Sequence, residues 1–366
     1  MANRLKKIHE LGQSIWLDFI DRRIMDSGDM QKLITEDGIR GVTSNPAIFE
    51  KAFSSSSDYD EDIAKLAKEG KSNDDIFYGV AVEDIKRAAD MFMQVYEDAV
   101  KGADGYVSLE VSPRFANDTE ATTKQALELW KAVHKDNVMI KIPGTKEGLP
   151  AIQKCIAEGL NINVTLLFGL ERYEEVTEAY ISGLEERANA GKPIEYVSSV
   201  ASFFLSRIDV LVDPMLQEKG LANLKGEVAI ASAKKAYEIY KRVFSTERWK
   251  KLEEKGAKPQ RLLWASTGSK DPAFSDVKYV EALIGKDTVD TIPMDTLVAF
   301  RDHGNAENTL EEGLDTATAT LGQLKTAGID LAKITQQLED EGIEKFNQPY
   351  DKLLAAIEKQ KQKAVA

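Results

Sequence analysis

Eight short runs of β-type residues, each followed by a helical pattern, constrain the fold of this chain more than any other feature. Alternating strands and helices indicate parallel strands, because each helix carries the chain back to the start of the next strand. Eight such units in 366 residues suit a closed (β/α)₈ barrel of the TIM type better than an open sheet. The runs lie at residues 14–20, 41–45, 105–112, 137–143, 162–168, 196–203, 261–267 and 288–294.

The intervals between the runs are uneven, which predicts extra helices around the barrel. Residues 54–105 are long enough for two or three helices, and the interval after residue 203 holds at least two more. No Pro/Gly/Ser-rich linker marks a domain boundary. We therefore predict one α/β barrel domain over residues 1–366, with additional helices at the N-terminus and in the long connections. Residues 305–366 are predicted to form a C-terminal helical extension packed on the barrel.

Composition and charge argue against several classes of protein. The net charge of -13 disfavours binding to nucleic acid or to an anionic membrane. No segment reaches the roughly 18 apolar residues of a membrane span, and the start "MANRLKKIHELGQ" has no apolar run typical of a signal peptide. The single cysteine, Cys155, has no partner for an intramolecular disulfide. We expect a cytoplasmic protein that binds small molecules, with a cluster of positive groups for any anionic ligand.

One lysine lies where a buried strand is expected. In "NVMIKIP", Lys141 stands among apolar residues, and side chains along a strand alternate between its two faces. Burying an ammonium group without a partner is unfavourable, so such a lysine pairs with an acid, extends to solvent or loses its proton. The neutral amine is a nucleophile.

Barrel enzymes place their chemistry at the carboxyl ends of the strands, so polar residues late in each run are candidates for function. For a single Ser, Thr or Asn, helix capping or a hydrogen bond to a neighbouring carbonyl is an equally good explanation. Three ionisable groups, Asp18, Glu110 and Lys141, lie on different strands and can meet in one interior. Structural ion pairing is the alternative for these three.

Together, a buried amine and two acids suggest aldol chemistry. A neutral lysine attacks a carbonyl to give a carbinolamine and, after loss of water, an iminium ion. The iminium withdraws electrons, so a carbon–carbon bond one atom further along can break. Each step needs proton transfer, for which carboxyl groups are suitable. No GxGxxG or GxxxxGK[ST] loop follows any run, which removes the usual nucleotide-binding interpretations.

Several motifs, in the right order along most of the chain, resemble those of the transaldolases. "GVTSNPAIF" is similar to the T-[TS]-N-P segment of that family, and "SLEVSPR" is similar to its E-V-x-x-R segment. "MIKIPGT" resembles the segment of its imine-forming lysine, and "NINVTLLF" resembles its N-x-T-L-L-F segment. The added helices and the long C-terminal region resemble the longer bacterial subgroup.

The resemblance implies a reaction of the non-oxidative pentose phosphate pathway. A dihydroxyacetone unit passes from sedoheptulose 7-phosphate to glyceraldehyde 3-phosphate, reversibly giving erythrose 4-phosphate and fructose 6-phosphate. The family needs no metal or organic cofactor, and the three histidines His9, His134 and His303 are too scattered to suggest a metal site. The expected partners are sugar phosphates, and the chain is expected to be a monomer or a homodimer.

The resemblance also implies a role for individual catalytic residues. Lys141 matches the lysine that forms the imine. Asp18 matches the acid and base that takes the proton from the C4 hydroxyl as the C3–C4 bond breaks. Glu110 matches the carboxylate that, through a water held with Thr165, serves imine formation and hydrolysis.

Other matching residues are expected to bind substrate. Asn45 and Asn163 match amides that hold hydroxyls of the substrate and the bound three-carbon unit, and Ser202 matches a serine at its terminal hydroxyl. Thr43 stands where the family has a threonine beside the glutamate. Arg207 matches an arginine that binds phosphate.

The segment expected to bind the phosphate group of the substrate departs from the family pattern. Many members have an A-S-F-R run after strand seven, whereas this chain reads "WASTGSKDP". Ser266 is kept, the arginine is missing, and Lys270 stands two places further on. Either Lys270 or the backbone N–H groups of this loop are expected to bind phosphate, and a surface lysine in a turn is the alternative.

Two other functions stay open at this stage. A related lysine aldolase cleaves fructose 6-phosphate and releases dihydroxyacetone to water. Phe168, where that aldolase tends to have a tyrosine in the surroundings of its site, favours transfer. The second alternative is a non-catalytic barrel that binds sugar phosphates, and the set Asp18, Glu110 and Lys141 argues against it.

Overall fold

Eight parallel strands close into a barrel in chain order, which confirms the predicted (β/α)₈ fold. The computed structural model describes residues 3–99 and 103–365. Each predicted run overlaps one strand, with β1 beginning one residue before its run and β6 ending one residue after its run. The strands are β1 Gln13–Leu17, β2 Gly41–Val42, β3 Tyr106–Glu110, β4 Val138–Pro143, β5 Ile162–Leu167, β6 Ser199–Phe204, β7 Arg261–Ala265 and β8 Thr288–Ile292.

Helices surround the barrel and fill the long intervals. Three helices, α4 to α6, occupy the connection between β2 and β3, and three, α10 to α12, follow β6. The helices are α1 Arg4–Glu10, α2 Arg22–Asp26, α3 Asp29–Lys32, α4 Pro46–Ser55, α5 Asp60–Lys68, α6 Asn73–Asp98, α7 Thr119–Val133, α8 Gly148–Glu158, α9 Leu170–Asn189, α10 Ser206–Glu218, α11 Val228–Val243, α12 Glu247–Glu253, α13 Lys278–Ala282, α14 Met294–His303, α15 Leu314–Thr326 and α16 Leu331–Val365.

The two faces of β4 show how the apolar pattern builds the barrel. Val138, Ile140 and Ile142 are fully buried on the face opposite Lys141, where helices cover the strands. Removing such side chains from water stabilises the fold by about 1.5–3 kcal/mol each. This face therefore fixes the strand, and the other face is left to carry Lys141 into the interior.

A polar network around Asp104 fills the amino-terminal end of the barrel. The Asp104 carboxylate accepts hydrogen bonds from Ser14 Oγ at 2.6 Å and from Trp16 Nε1 at 3.0 Å. The Arg261 guanidinium lies 3.3 Å from the same carboxylate. These contacts join the segments that begin β1, β3 and β7 at this end of the barrel.

The C-terminal helices lie against different parts of the molecule. Helix α15 packs on α11, while α16 crosses the carboxyl end of the barrel and contacts α4, α5, α6 and α10. Helix α16 therefore reaches the end where the site is predicted. Within the described residues, no helix combines the length and apolar character needed to cross a membrane.

Asp290 of β8 is a buried acid outside the predicted site. Its side chain is fully buried, and neither carboxyl oxygen has a hydrogen-bond partner among the described residues. Burial raises the pKa of Asp290 to about 8. Between the ordinary aspartate pKa and this value, the folded chain holds a proton that the unfolded chain has lost, so the stability falls as the pH rises.

Asp290→Asn is therefore expected to stabilise the protein, and more so at pH 8 than at pH 5. The gain in the free energy of unfolding should grow by at most about 1.4 kcal/mol per pH unit. Denaturant unfolding at several pH values measures it, with the exposed Asp295→Asn as the control. Parallel stability curves for Asp290→Asn and the parent protein would show that Asp290 does not carry this pH dependence.

Candidate active site

The register of three neighbouring strands brings predicted site residues side by side. Glu110 of β3 pairs with Lys141 of β4, and Lys141 pairs with Asn163 of β5. Side chains of residues paired in this way point to the same face of a parallel sheet. The register therefore places Glu110, Lys141 and Asn163 in one row inside the barrel.

The Lys141 amine contacts two oxygen atoms. Nζ donates a hydrogen bond to the Ser44 carbonyl at 2.9 Å and lies 3.2 Å from Glu110 Oε2. The side chains of Lys141 and Glu110 are only 6% and 4% exposed. The structural ion pair considered as an alternative is thus present between Lys141 and Glu110. The Glu110 carboxylate nevertheless makes no hydrogen bond with the described residues. Pairing in the resting site and catalysis by the same two groups are compatible.

A cavity of about 180 Å³ opens at the carboxyl end of the barrel. Most of the predicted residues line it. They are Asp18, Thr43, Asn45, Lys141, Thr165, Ser202, Arg207, Ser266 and Lys270. The remaining two touch lining residues, because Glu110 pairs with Lys141 and Asn163 accepts a hydrogen bond from Ser202 at 2.7 Å.

Asp18 follows β1 and is held by a chain of hydroxyl groups. Thr43 Oγ1 donates to Asp18 Oδ1 at 2.7 Å and lies 2.6 Å from Thr291 Oγ1. A hydroxyl has one proton, so Thr291 is the donor to Thr43. Thr43, expected beside the glutamate, thus hydrogen-bonds to Asp18. This chain fixes the orientation of Asp18 Oδ1 toward the β2 side of the cavity.

Burial changes the acidity of both carboxyl groups. It raises the pKa of Asp18 and the pKa of Glu110, and the positive charge of Lys141 partly opposes both shifts. A carboxyl group whose pKa is raised toward neutrality is better able to give and take a proton near pH 7. The two acids are therefore suited to proton transfer near the Lys141 amine.

Glu110 and Thr165 have buried side-chain oxygens without a hydrogen-bond partner among the described residues, although Glu110 Oε2 is ion-paired with Lys141. Both Glu110 carboxyl oxygens and Thr165 Oγ1 are buried and have no hydrogen-bond partner among the described residues. Buried polar atoms are nearly always paired with protein, water or ligand. These atoms fit the predicted role of holding a water that takes part in forming and hydrolysing an imine.

The two predicted amides have protein partners. Asn45 caps α4 by accepting from the Ile48 N–H at 3.0 Å, and it also lines the cavity. Asn163 donates to Ser108 Oγ at 3.1 Å in addition to its bond with Ser202. Helix capping, the alternative to substrate binding, therefore explains the Asn45 side-chain oxygen. Asn163 positions Ser202, and direct contact of Asn163 with substrate remains a prediction.

Arg207 lies in the first turn of α10 as a half-buried cation. Its Nη1 has no hydrogen-bond partner among the described residues, and its guanidinium stands 5.5 Å from the centre of the Phe204 ring. Burial lowers the pKa of this guanidinium. A half-buried guanidinium with an unpartnered nitrogen at a helix N-terminus is well suited to bind a phosphate group.

The loop after β7 forms the wall beside Arg207. Ser266 has a positive φ of 57°, and its Oγ lies 2.8 Å from Ser206 Oγ at the start of α10. Such a backbone conformation is uncommon outside glycine and is concentrated at functional sites. Lys270, further along this loop, is exposed and lines the same cavity as Arg207.

Besides Ala265, Gly268 and Pro293, the residues that line the cavity but were missed from the sequence are Thr291 of β8, Phe204 of β6 and Phe346 of α16. Thr291 is a polar residue late in its run, so the rule applied to the other strands should have found it. Phe204 is apolar and lies one residue beyond its predicted run, so the rule does not apply to it. Phe346 carries no such signal, because it is a helical residue that lies more than 50 positions after the end of β8. Phe168 packs on Phe204, with ring centres 5.2 Å apart, and lies behind the cavity wall.

Comparison with known proteins places the chain in a family. The family model described as "Transaldolase/Fructose-6-phosphate aldolase" matches residues 15–357. The chain is 46% identical to the transaldolase of Trichodesmium erythraeum over 99% of both chains, and 45% identical to that of Saccharopolyspora erythraea over 98% of both. It is 44% identical to the transaldolase of Thermobifida fusca, with 98% of this chain and 99% of that one covered. The chain therefore belongs to the transaldolase/fructose-6-phosphate aldolase family.

Proposed function

We propose that the protein is a transaldolase that works through a covalent imine on Lys141. It transfers a dihydroxyacetone unit from sedoheptulose 7-phosphate to glyceraldehyde 3-phosphate, reversibly giving erythrose 4-phosphate and fructose 6-phosphate. The observation that carries this proposal is the buried amine of Lys141, with Glu110 at 3.2 Å and Asp18 lining the same cavity.

The first half of the reaction breaks a carbon–carbon bond. Lys141 Nζ attacks the C2 carbonyl of the donor ketose, and loss of water gives an iminium ion. Glu110, through a water held with Thr165, moves the protons of this step. Asp18 then takes the proton of the C4 hydroxyl, the C3–C4 bond breaks, and its electron pair enters the iminium to leave an enamine. The shortened aldehyde departs.

The second half reverses these steps with a different aldehyde. The enamine carbon attacks the carbonyl of the acceptor, and Asp18 returns its proton to the new C4 oxygen. Water then hydrolyses the iminium, which releases the ketose product and restores the Lys141 amine. Every electron pair and proton is accounted for by the substrates, water and these side chains.

A combined trapping and transfer experiment tests the proposal. Sodium borohydride added with fructose 6-phosphate should reduce the imine and leave a stable mass adduct on Lys141. A coupled assay with erythrose 4-phosphate as acceptor should then show formation of sedoheptulose 7-phosphate. An adduct without transfer would indicate the related lysine aldolase, and the lack of any adduct would indicate a non-catalytic sugar-phosphate barrel.

The phosphate contacts are tested by two substitutions with a matched control. Arg207→Gln and Lys270→Gln are each expected to raise the KM for fructose 6-phosphate with a smaller effect on kcat. A hydrogen bond to a charged group contributes about 1.5–3 kcal/mol, so the rise should be roughly ten- to a hundredfold. The control is Lys225→Gln, a lysine near the same loop that lies 3.3 Å from Asp271. An unchanged KM for Lys270→Gln alone would assign the phosphate to Arg207 and the loop N–H groups.

The cytoplasm is the proposed location. The proposed substrates carry phosphate charges, and charged groups cross a bilayer only at high cost. An enzyme of sugar phosphates is therefore expected in the compartment where these metabolites are made.

A further inference from the structure

Phe346 of α16 closes one side of the catalytic cavity. The centre of its ring lies 6.0 Å from Lys141 Nζ and 5.9 Å from the Arg207 guanidinium carbon. The residue is 7% exposed and lines the cavity together with Asp18. A helix distant in sequence thus presents an aromatic ring to the amine and to the cation proposed to bind phosphate.

Contacts on both sides of Phe346 hold α16 in this position. Upstream, Glu339 pairs with Arg172 of α9 at 3.2 Å, and the Glu339 side chain is 8% exposed. Downstream, Tyr350 Oη donates to Asp74 of α6 at 2.6 Å. These two contacts hold α16 against α9 and α6, and they keep the Phe346 ring in the cavity wall.

A glycine one turn before Phe346 allows the close approach. A Cβ atom at Gly342 would lie 3.0 Å from Leu166 Cδ2, which is tighter than ordinary contact. Leu166 has a positive φ of 55° at a register shift in β5, and a bulge of this kind redirects side chains at the end of a strand. The end of β5 and the glycine of α16 therefore fit together and bring Phe346 down to the cavity.

The access of water to the cavity wall formed by Phe346 affects whether the enamine on Lys141 is transferred to an acceptor or hydrolysed. After the first aldehyde leaves, the enamine has two fates. Attack on an acceptor aldehyde completes transfer, whereas protonation of the enamine carbon followed by addition of water releases free dihydroxyacetone and the Lys141 amine. An apolar ring near the amine leaves less room for water and offers it no hydrogen bond, and exclusion of water suppresses such side reactions.

We propose that Phe346 is a specificity-determining residue that favours transfer of the bound three-carbon unit over its release to water. The proposal rests on the imine mechanism proposed above. A purely structural role does not explain why the ring faces a cavity that also contains Lys141, Asp18 and Arg207. The cationic groups gain from the ring face, while water gains nothing there.

The test compares two products formed from fructose 6-phosphate and erythrose 4-phosphate. Sedoheptulose 7-phosphate reports transfer, and dihydroxyacetone reports hydrolysis. Phe346→Ala is expected to raise the ratio of dihydroxyacetone to sedoheptulose 7-phosphate roughly tenfold. Phe346→Leu, which keeps apolar bulk, is expected to give a smaller rise. Glu339→Gln is the matched control, because it weakens an anchor of the same helix and leaves the ring in place.

Each outcome decides the proposal. An unchanged product ratio in folded Phe346→Ala overturns it, and so does an equal rise in Glu339→Gln, which would assign the effect to the helix anchors. If thermal unfolding shows that Phe346→Ala does not fold, Phe346→Leu decides by the same ratio. The borohydride adduct on Lys141 of the parent protein distinguishes failure of the imine mechanism from failure of the role proposed for Phe346. A missing adduct removes the imine mechanism, whereas an adduct with an unchanged ratio removes only the role of Phe346.

Discussion

Lys141→Ala is expected to abolish turnover and the borohydride adduct together. The methyl group of alanine cannot attack a carbonyl, so no imine forms and no later step can occur. Removing the nucleophile of a covalent mechanism commonly costs several orders of magnitude, and we expect a loss of at least about 10⁴-fold in kcat. The coupled transfer assay measures the loss, and mass spectrometry of the borohydride-treated protein shows whether the adduct is gone.

Two controls make this result specific. Lys146→Ala removes an exposed lysine five residues further along the chain and should keep both activity and adduct. Lys141→Ala also leaves Glu110 without its 3.2 Å ion-pair partner, so circular dichroism and thermal unfolding must show that the variant is folded. A folded Lys141→Ala variant that still formed the adduct would place the nucleophile on another residue.

Asp18→Ala is expected to separate imine formation from bond cleavage. The variant keeps Lys141 and Glu110, so fructose 6-phosphate should still form an adduct that borohydride traps. Cleavage needs a base for the C4 hydroxyl proton, and losing a positioned base commonly slows a step by roughly 10²–10⁴-fold. We therefore expect a trapped adduct that retains all six substrate carbons, together with a kcat reduced by about that factor.

The mass of the adduct distinguishes Asp18→Ala from the parent protein. A three-carbon adduct in the variant, formed at the parent rate, would mean that another group accepts the C4 proton. Equal loss of the adduct in Asp18→Ala and Lys141→Ala would assign Asp18 to binding or to imine formation instead. Thr43→Val is the matched variant for orientation, because it removes the 2.7 Å hydrogen bond to Asp18 and keeps the carboxyl group.

The fold was predictable because a barrel repeats one local signal eight times. Each predicted run overlaps a strand, yet every strand is shorter than its run, and β2 is only Gly41–Val42. Apolar alternation identifies which residues face the interior. The ends depend on where hydrogen bonding to the neighbouring strand stops, and this is a property of the pair of strands rather than of either sequence.

The helices, like the strands, could be predicted in part from local sequence, whereas their packing could not. Helix α7 begins at Thr119, where Asp118 accepts a hydrogen bond from the Ala121 N–H as the N-cap. The two helices expected after residue 305 are α15 and α16. The local sequence of these two helices gave no information about which parts of the barrel they cover.

The sequence by itself determined the chemical inventory of this protein: eight strands, a lysine in an apolar strand, and acids late in two others. The tertiary structure decided which of these groups meet, since the register of β3 with β4 sets Glu110 beside Lys141. It also decided that the Asp290 carboxyl oxygens have no hydrogen-bond partner among the described residues and that the Phe346 ring lies 6.0 Å from the Lys141 amine. Such contacts join residues far apart in the chain, and they depend on strand register and helix crossing, which local sequence patterns do not encode.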